Sequence, residues 1–156
     1  MTKVEKWLCT VLSEIHARNL SDFAGLGLVF YTDRNALPTH PLVHSDLNPS
    51  LPAKTLQDSI ELFAQISRRT SICHDGFHLV QAETCFVTEV SQFLSPPIPH
   101  VPLKIERAGG ARHMAARLTS LIPGVVLTAV YTLESEVSLY DRGEVRTIQI
   151  RPVDGW

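Results

Sequence analysis

The sequence has no long apolar run, no C-x-x-C pair and no block of like charge, and each absence removes a class of function. No stretch approaches the roughly eighteen consecutive apolar residues that span a bilayer, so a membrane partner is not expected. The apolar residues after Met1 are soon interrupted by Ser13, Glu14, His16 and Arg18, so no signal-peptide core is expected there. Cysteine is scarce: Cys9, Cys73 and Cys85 cannot all pair within one chain, which reads as a reducing, cytoplasmic protein. Fourteen Lys+Arg stand against sixteen Asp+Glu, with no run of like charge beyond Arg68-Arg69, so a long basic face for duplex nucleic acid is not expected.

What is present suits one soluble domain. The 156 residues are 44% hydrophobic and 19% charged. A chain of this length buries about 68–70% of its unfolded surface, so neither disulfides nor a structural metal is needed to hold it.

Apolar residues at Val4, Trp7, Leu8, Val11, Leu12 and Ile15 recur every three or four positions and predict a helix over Val4–Arg18. Gly25–Asp33 is short and rich in β-branched and aromatic residues, which predicts a buried strand. Four prolines between Arg34 and Ala53 predict a long loop. A second helix is predicted over Thr55–Arg69, with Leu56, Ile60 and Phe63 inward and Arg68 and Arg69 at the negative end of its dipole.

The period then shifts to two. Strands are predicted at His78–Val80 and Thr84–Val90, with a turn at Ala82-Glu83. A loop with Pro96, Pro97, Pro99 and Pro102 leads to Gly109-Gly110 and a helix over Arg112–Leu121. Three more strands follow at Val125–Tyr131, Glu136–Tyr140 and Arg146–Ile150, the last two joined as a hairpin. Helices alternating with strands predict an α/β class fold, a single domain over residues 1–156 with a central mixed β-sheet flanked by helices.

Two segments place glycine beside ionisable residues. In Cys73-His74-Asp75-Gly76-Phe77, Asp75 could offer a carboxylate to a hard cation beside a nucleotide. The same residues also make an ordinary tight turn. In Gly109-Gly110-Ala111-Arg112-His113-Met114, glycines open a helix whose free N–H groups form an anion site, and Arg112 adds a planar fork suited to phosphate. An ordinary helix start is the alternative.

In this order, the two segments resemble the signatures of the diadenylate cyclase family, named for the N-terminal domain of DisA. A DGA motif is matched by Asp75-Gly76-Phe77, and a downstream GTRHR motif by Gly110-Ala111-Arg112-His113-Met114. The likeness extends over residues 20–145, between the N-terminal helix (1–19) and a C-terminal strand and tail (146–156).

The resemblance implies an ATP-binding fold whose active members join two ATP molecules into cyclic di-AMP across a face-to-face homodimer, with Mg²⁺ or Mn²⁺. It implies nucleotide binding by Asp75, Gly76, Phe77, Gly109, Gly110, Ala111, Arg112 and His113. Asp75 and His113 would hold the metal, and Asp75, Arg112 and His113 would be catalytic in an active member.

Departures from the family pattern accompany the matches. Phe77 replaces a small alanine, putting a large ring where the family keeps room beside the nucleotide, and Ala111 replaces a threonine. Met114 replaces the second arginine. A Ser-Glu-Glu stretch aligns with Tyr131-Thr132-Leu133, leaving Glu134 or Glu136 as substitutes only if the loop is offset. Losing one aimed charge costs on the order of 10²–10³ in rate. The favoured reading is a nucleotide sensor with weak or no cyclase activity, serving a separate effector protein. An active cyclase and a purely structural interaction module are the alternatives.

Among other candidates, His40/His44 and His74/His78 have H-x-x-x-H spacing but no helix to align them, so no zinc site is expected. Cys73 reads as a buried hydrophobe before an activated thiol. Trp7 reads as packing from the first helix, and Trp156 carries no inferable role.

Overall fold

The computed structural model describes residues 1–44, 50–105, 109–132 and 135–151; Glu134 and Trp156 fall outside them. Helix α1, Lys3–Ala17, begins at Thr2, whose hydroxyl accepts from the Glu5 N–H while the Glu5 carboxylate accepts from the Thr2 N–H. Its buried stripe is Val4, Leu8, Val11, Leu12 and Ile15, and Trp7 sets its ring edge-on to Phe30 and Phe63. Helix α2, Leu56–Ile66, is capped by Thr55 and buries Ile60 and Phe63. Leu56, expected inward, is exposed.

Helix α2 ends three residues earlier than its pattern suggests. Ala24 N–H donates to the Ser67 carbonyl and Arg69 N–H to the Asp22 carbonyl, so residues 67–69 zip onto 22–24 and leave the helical path. Arg68 therefore pairs with Asp22 and does not serve the dipole of α2.

Seven strands form one mixed sheet: β1 (Leu26–Tyr31), β2 (Thr39–Pro41), β3 (Phe77–Gln81), β4 (Val87–Leu94), β5 (Val125–Tyr131), β6 (Glu136–Asp141) and β7 (Glu144–Gln149). Their order is β2-β4-β3-β1-β5-β6-β7. Only β1 and β3 run parallel, with Leu28 opposite His78, while β5 lies antiparallel to β1 with Tyr131 opposite Leu26. The expected α/β architecture with a mixed sheet is what the chain adopts.

The long loop expected over residues 34–53 is corrected in part. Arg34–Ala36 is a 3₁₀ turn, and Thr39–Pro41 forms strand β2 at the sheet edge, a position that tolerates proline. Strand β4 also starts three residues later than expected, because Cys85 takes a positive φ of 59° and its N–H closes a turn onto the Gln81 carbonyl. The β6–β7 hairpin turns through Arg142 and Gly143, both at positive φ.

Two apolar clusters cover the two faces of the sheet. Leu26, Leu28 and Phe30 of β1 pack with α1 and α2; Val29 and Tyr31 face the other way, with Phe77, Leu79 and Ala116 of helix α3 (Ala111–Thr119). All three cysteines are free, and burial pushes the Cys73 thiol up, which makes it a core residue and not an activated nucleophile. No helix among the described residues is long and apolar enough to cross a membrane.

Candidate functional site

Strand directions gather the site at one edge of the sheet. Parallel β1 and β3 both begin there, antiparallel β5 ends there, and β6 turns back from it. The segments meeting at this edge are Ala24-Gly25, Asp75-Gly76, Thr132 and Glu136, with the start of α3 on one face.

The Asp75-Gly76 turn is pinned from β4: the Ser91 hydroxyl donates to the Asp75 carbonyl at 2.9 Å. Gly76 has φ +80°, and a Cβ there would meet the Gln92 carbonyl at 2.7 Å and Leu42 at 2.8 Å. Protein already fills that side of Gly76. The Asp75 carboxylate is 70% exposed and lies 3.4 Å from His74 Nε2. His74 Nδ1 donates to the Ser71 carbonyl at 2.7 Å, which leaves Nε2 turned toward the carboxylate. His74 is a functional candidate that the motif comparison passed over; its adjacency to Asp75 was the available signal.

Helix α3 differs from the other two at its N-terminus. Thr2 and Thr55 cap α1 and α2, whereas α3 starts at Gly110 with no side-chain cap and no acidic residue in its first turn. Gly110 itself borders open space, and Gly109 packs on the His113 side chain. The first turn therefore presents backbone N–H groups and the positive dipole end to a cavity of about 460 Å³.

Three walls line this cavity. Phe23, Ala24, Gly25 and Arg69 form the first; Gly109, Gly110, His113 and Met114 form the second; Thr132, Glu136, Ser138 and Tyr140 form the third. His113 is fixed against β6, its Nδ1 2.7 Å from the Tyr140 hydroxyl. Glu136 lines the cavity, its Oε2 accepting from the Gln149 side-chain amide at 3.1 Å, while Tyr131 turns to the other face of the sheet, where its hydroxyl meets His16 Nδ1 and burial pushes its pKa up.

The expected site residues thus divide. Gly109, Gly110 and His113 line the cavity, while Asp75, Gly76 and Arg112 are not among its lining residues. Arg112 packs on two lining residues: its Nη1 lies 3.4 Å from the Ala24 carbonyl and occupies the space a Gly25 side chain would need. Burial lowers the Arg112 pKa and the Asp75 charge opposes that shift, so the two motifs are electrostatically coupled. Ala111 is exposed outside the lining. Phe77 is in the core, 4% exposed, with its ring over Gly27, so the ring expected to crowd a nucleotide is absorbed by the protein interior. His113, expected to share a metal with Asp75, lines the cavity, and Asp75 is not among its lining residues.

No family model and no curated protein matches the chain. Solved structures do match. One is described as a hypothetical membrane spanning protein from Bacillus cereus, with a TM-score of 0.67 and 21% identity over 95% of this chain. This chain spans 64% of that protein's length. Another is DacA from Staphylococcus aureus, an N166C/T172C double mutant, with a TM-score of 0.58 and 19% identity, covering 94% of this chain and 89% of that one. Identities this low show architecture alone, and on that ground the chain has a diadenylate cyclase-like fold.

Proposed function

We propose that the chain is a nucleotide sensor: it holds the phosphates of a purine nucleotide such as ATP at the start of α3 and converts it to cyclic di-AMP slowly or not at all. The observation that carries this reading is the uncapped first turn of α3 opening onto a ligand-sized cavity. Arg112 and the likeness of fold support it.

Mg²⁺ or Mn²⁺ fits beside the site as a shared ion and not as a caged one. No cluster of three or more His, Cys, Asp or Glu side chains able to hold a metal occurs among the described residues. Asp75, with His74 Nε2 next to it, offers two donors, and phosphate oxygens and water would complete the shell. Such an ion supplies charge neutralisation at the phosphoryl oxygens.

Cyclisation asks more of the protein than binding does. In-line attack of a 3′-hydroxyl on the α-phosphate of a second nucleotide needs a homodimer and groups aimed at charge that develops only in the transition state. Met114 brings no charge to the cavity, and Tyr131 lies buried on the opposite face. An active cyclase is the second reading, favoured by an acidic residue, Glu136, among those that line the cavity. In the sensor reading, the bound state is passed to a separate effector protein.

Titrating the protein with ATP and Mn²⁺ while resolving products by chromatography separates these readings. Saturable binding with little or no cyclic di-AMP is expected. Robust conversion abolished by Asp75→Asn would establish the cyclase, and absence of binding would refute both. A second expectation concerns Gly110→Asp, which has open space for its side chain. It should cap α3 and raise stability by a few tenths of a kcal/mol, while its carboxylate weakens ATP binding by competing for the same N–H groups. Tighter ATP binding by this variant would contradict an anion site at α3.

A further inference from the structure

Four guanidinium groups lie at or near the cavity, and those of Arg117 and Arg68 are held by protein partners. Arg117 donates to the Gly143 carbonyl at 2.8 Å and the Lys104 carbonyl at 2.6 Å. Arg112 lies against the Ala24 carbonyl, and Arg68 is paired with Asp22. Arg69 differs. Its backbone is fixed by the hydrogen bond to Asp22, it lines the cavity, and its exposed side chain has no hydrogen-bond or ion-pair partner among the described residues. Met114, where the family resemblance implies an arginine, lines the same cavity 40% exposed.

We infer that Arg69 is the cavity's phosphate-contacting arginine, supplying from the segment that follows α2 the charge that Met114 does not supply from α3. A phosphate chain reaching the first turn of α3 would then be held from two elements, by backbone N–H groups on one and a planar fork on the other. The group recognised is a di- or triphosphate. This inference rests on the nucleotide reading above and assigns its charged end.

The test is calorimetric titration of the full chain with ATP and with inorganic triphosphate, for wild type, Arg69→Ala, Arg68→Ala and Arg69→Ala/Met114→Arg. Thermal melts without ligand check each variant's fold. Arg69→Ala should weaken both ligands roughly 10- to 100-fold, the loss expected for one charge-assisted contact. Arg68→Ala removes the same charge one residue away, outside the cavity lining, and should change affinity less than about threefold. Met114→Arg should return most of the affinity lost in Arg69→Ala. Wild-type affinity in Arg69→Ala, or an equal loss in Arg68→Ala, overturns the assignment while leaving the nucleotide reading standing. A double variant that recovers nothing refutes the exchange of charge between the two walls. Failure of the wild type to bind either ligand refutes the nucleotide reading and the inference with it.

Discussion

Phe77→Ala should lower the free energy of unfolding by about 3–5 kcal/mol, and adding Gly27→Ala should recover part of that loss. Phe77 packs in the cluster under α3, and its ring carbons lie 2.8 Å from where a Gly27 Cβ would stand. The bare backbone at Gly27 and the ring at Phe77 fill one space between neighbouring strands. Alone, Gly27→Ala forces the ring aside and should cost about 1–3 kcal/mol as overpacking. In the Phe77→Ala background the same methyl enters a void, so its sign reverses. Urea unfolding of the two single variants and the double checks this: the changes should depart from additivity by more than 0.5 kcal/mol, within the range of roughly 0.5–3 kcal/mol found for residues in contact. Additive changes would show that the two positions do not share this space. Restoring a small residue at 77 in any search for cyclase activity therefore requires Gly27→Ala as well.

The wild type should lose about 2 kcal/mol more stability than His78→Gln when pH falls from 7 to 5. His78 is fully buried, and its pKa is lowered from 6.5 to about 3, first by burial and second by the Arg112 charge. Its Nδ1 accepts the Ser91 N–H at 3.0 Å, so protonating that nitrogen would also break a buried hydrogen bond. The unfolded chain takes up the proton near pH 6.5 and the folded chain does not. The contribution is therefore whole above pH 6.5 and is lost progressively as pH falls toward about 3. Glutamine keeps an acceptor and does not titrate, which removes this term while the carboxylates remain common to both proteins. Parallel denaturant curves at pH 7, 6 and 5 make the comparison, and identical slopes for the two proteins would show that His78 charges freely in the folded state.

Periodicity carried the helices and most strands, because a single buried stripe imposes spacing on the sequence, as Leu8, Val11, Leu12 and Ile15 do. It failed where tertiary contacts decide. The early end of α2 is set by residues 22–24, more than forty positions away, and the delayed start of β4 by one non-glycine residue at positive φ. Strand β2 was hidden by Pro41 within it and Pro38 before it, which an edge strand tolerates because it needs hydrogen bonds on one side only. At the site, sequence order was enough to nominate Asp75 and Arg112, which the fold places within electrostatic reach of one another. It could not reveal that His113 is engaged by Tyr140, that Phe77 is matched to Gly27, or that Arg69 turns up on the cavity wall, because each depends on a partner distant in the chain.

The sheet ends in strands that discourage continuation into another molecule. On one side β2 is three residues long and closes on Pro41, which has no N–H to offer an incoming strand. On the other, β7 alternates charge and polarity along its length, with Glu144, Arg146 and Gln149, and Arg146 reaches back to the buried Glu5 of α1. Two copies of this chain would therefore not associate by strand addition into a longer sheet. In the nucleotide reading, an assembly that brings two nucleotides together is expected to use the surface where the cavity opens, and crosslinks from residues flanking that cavity, not from β2 or β7, would capture it.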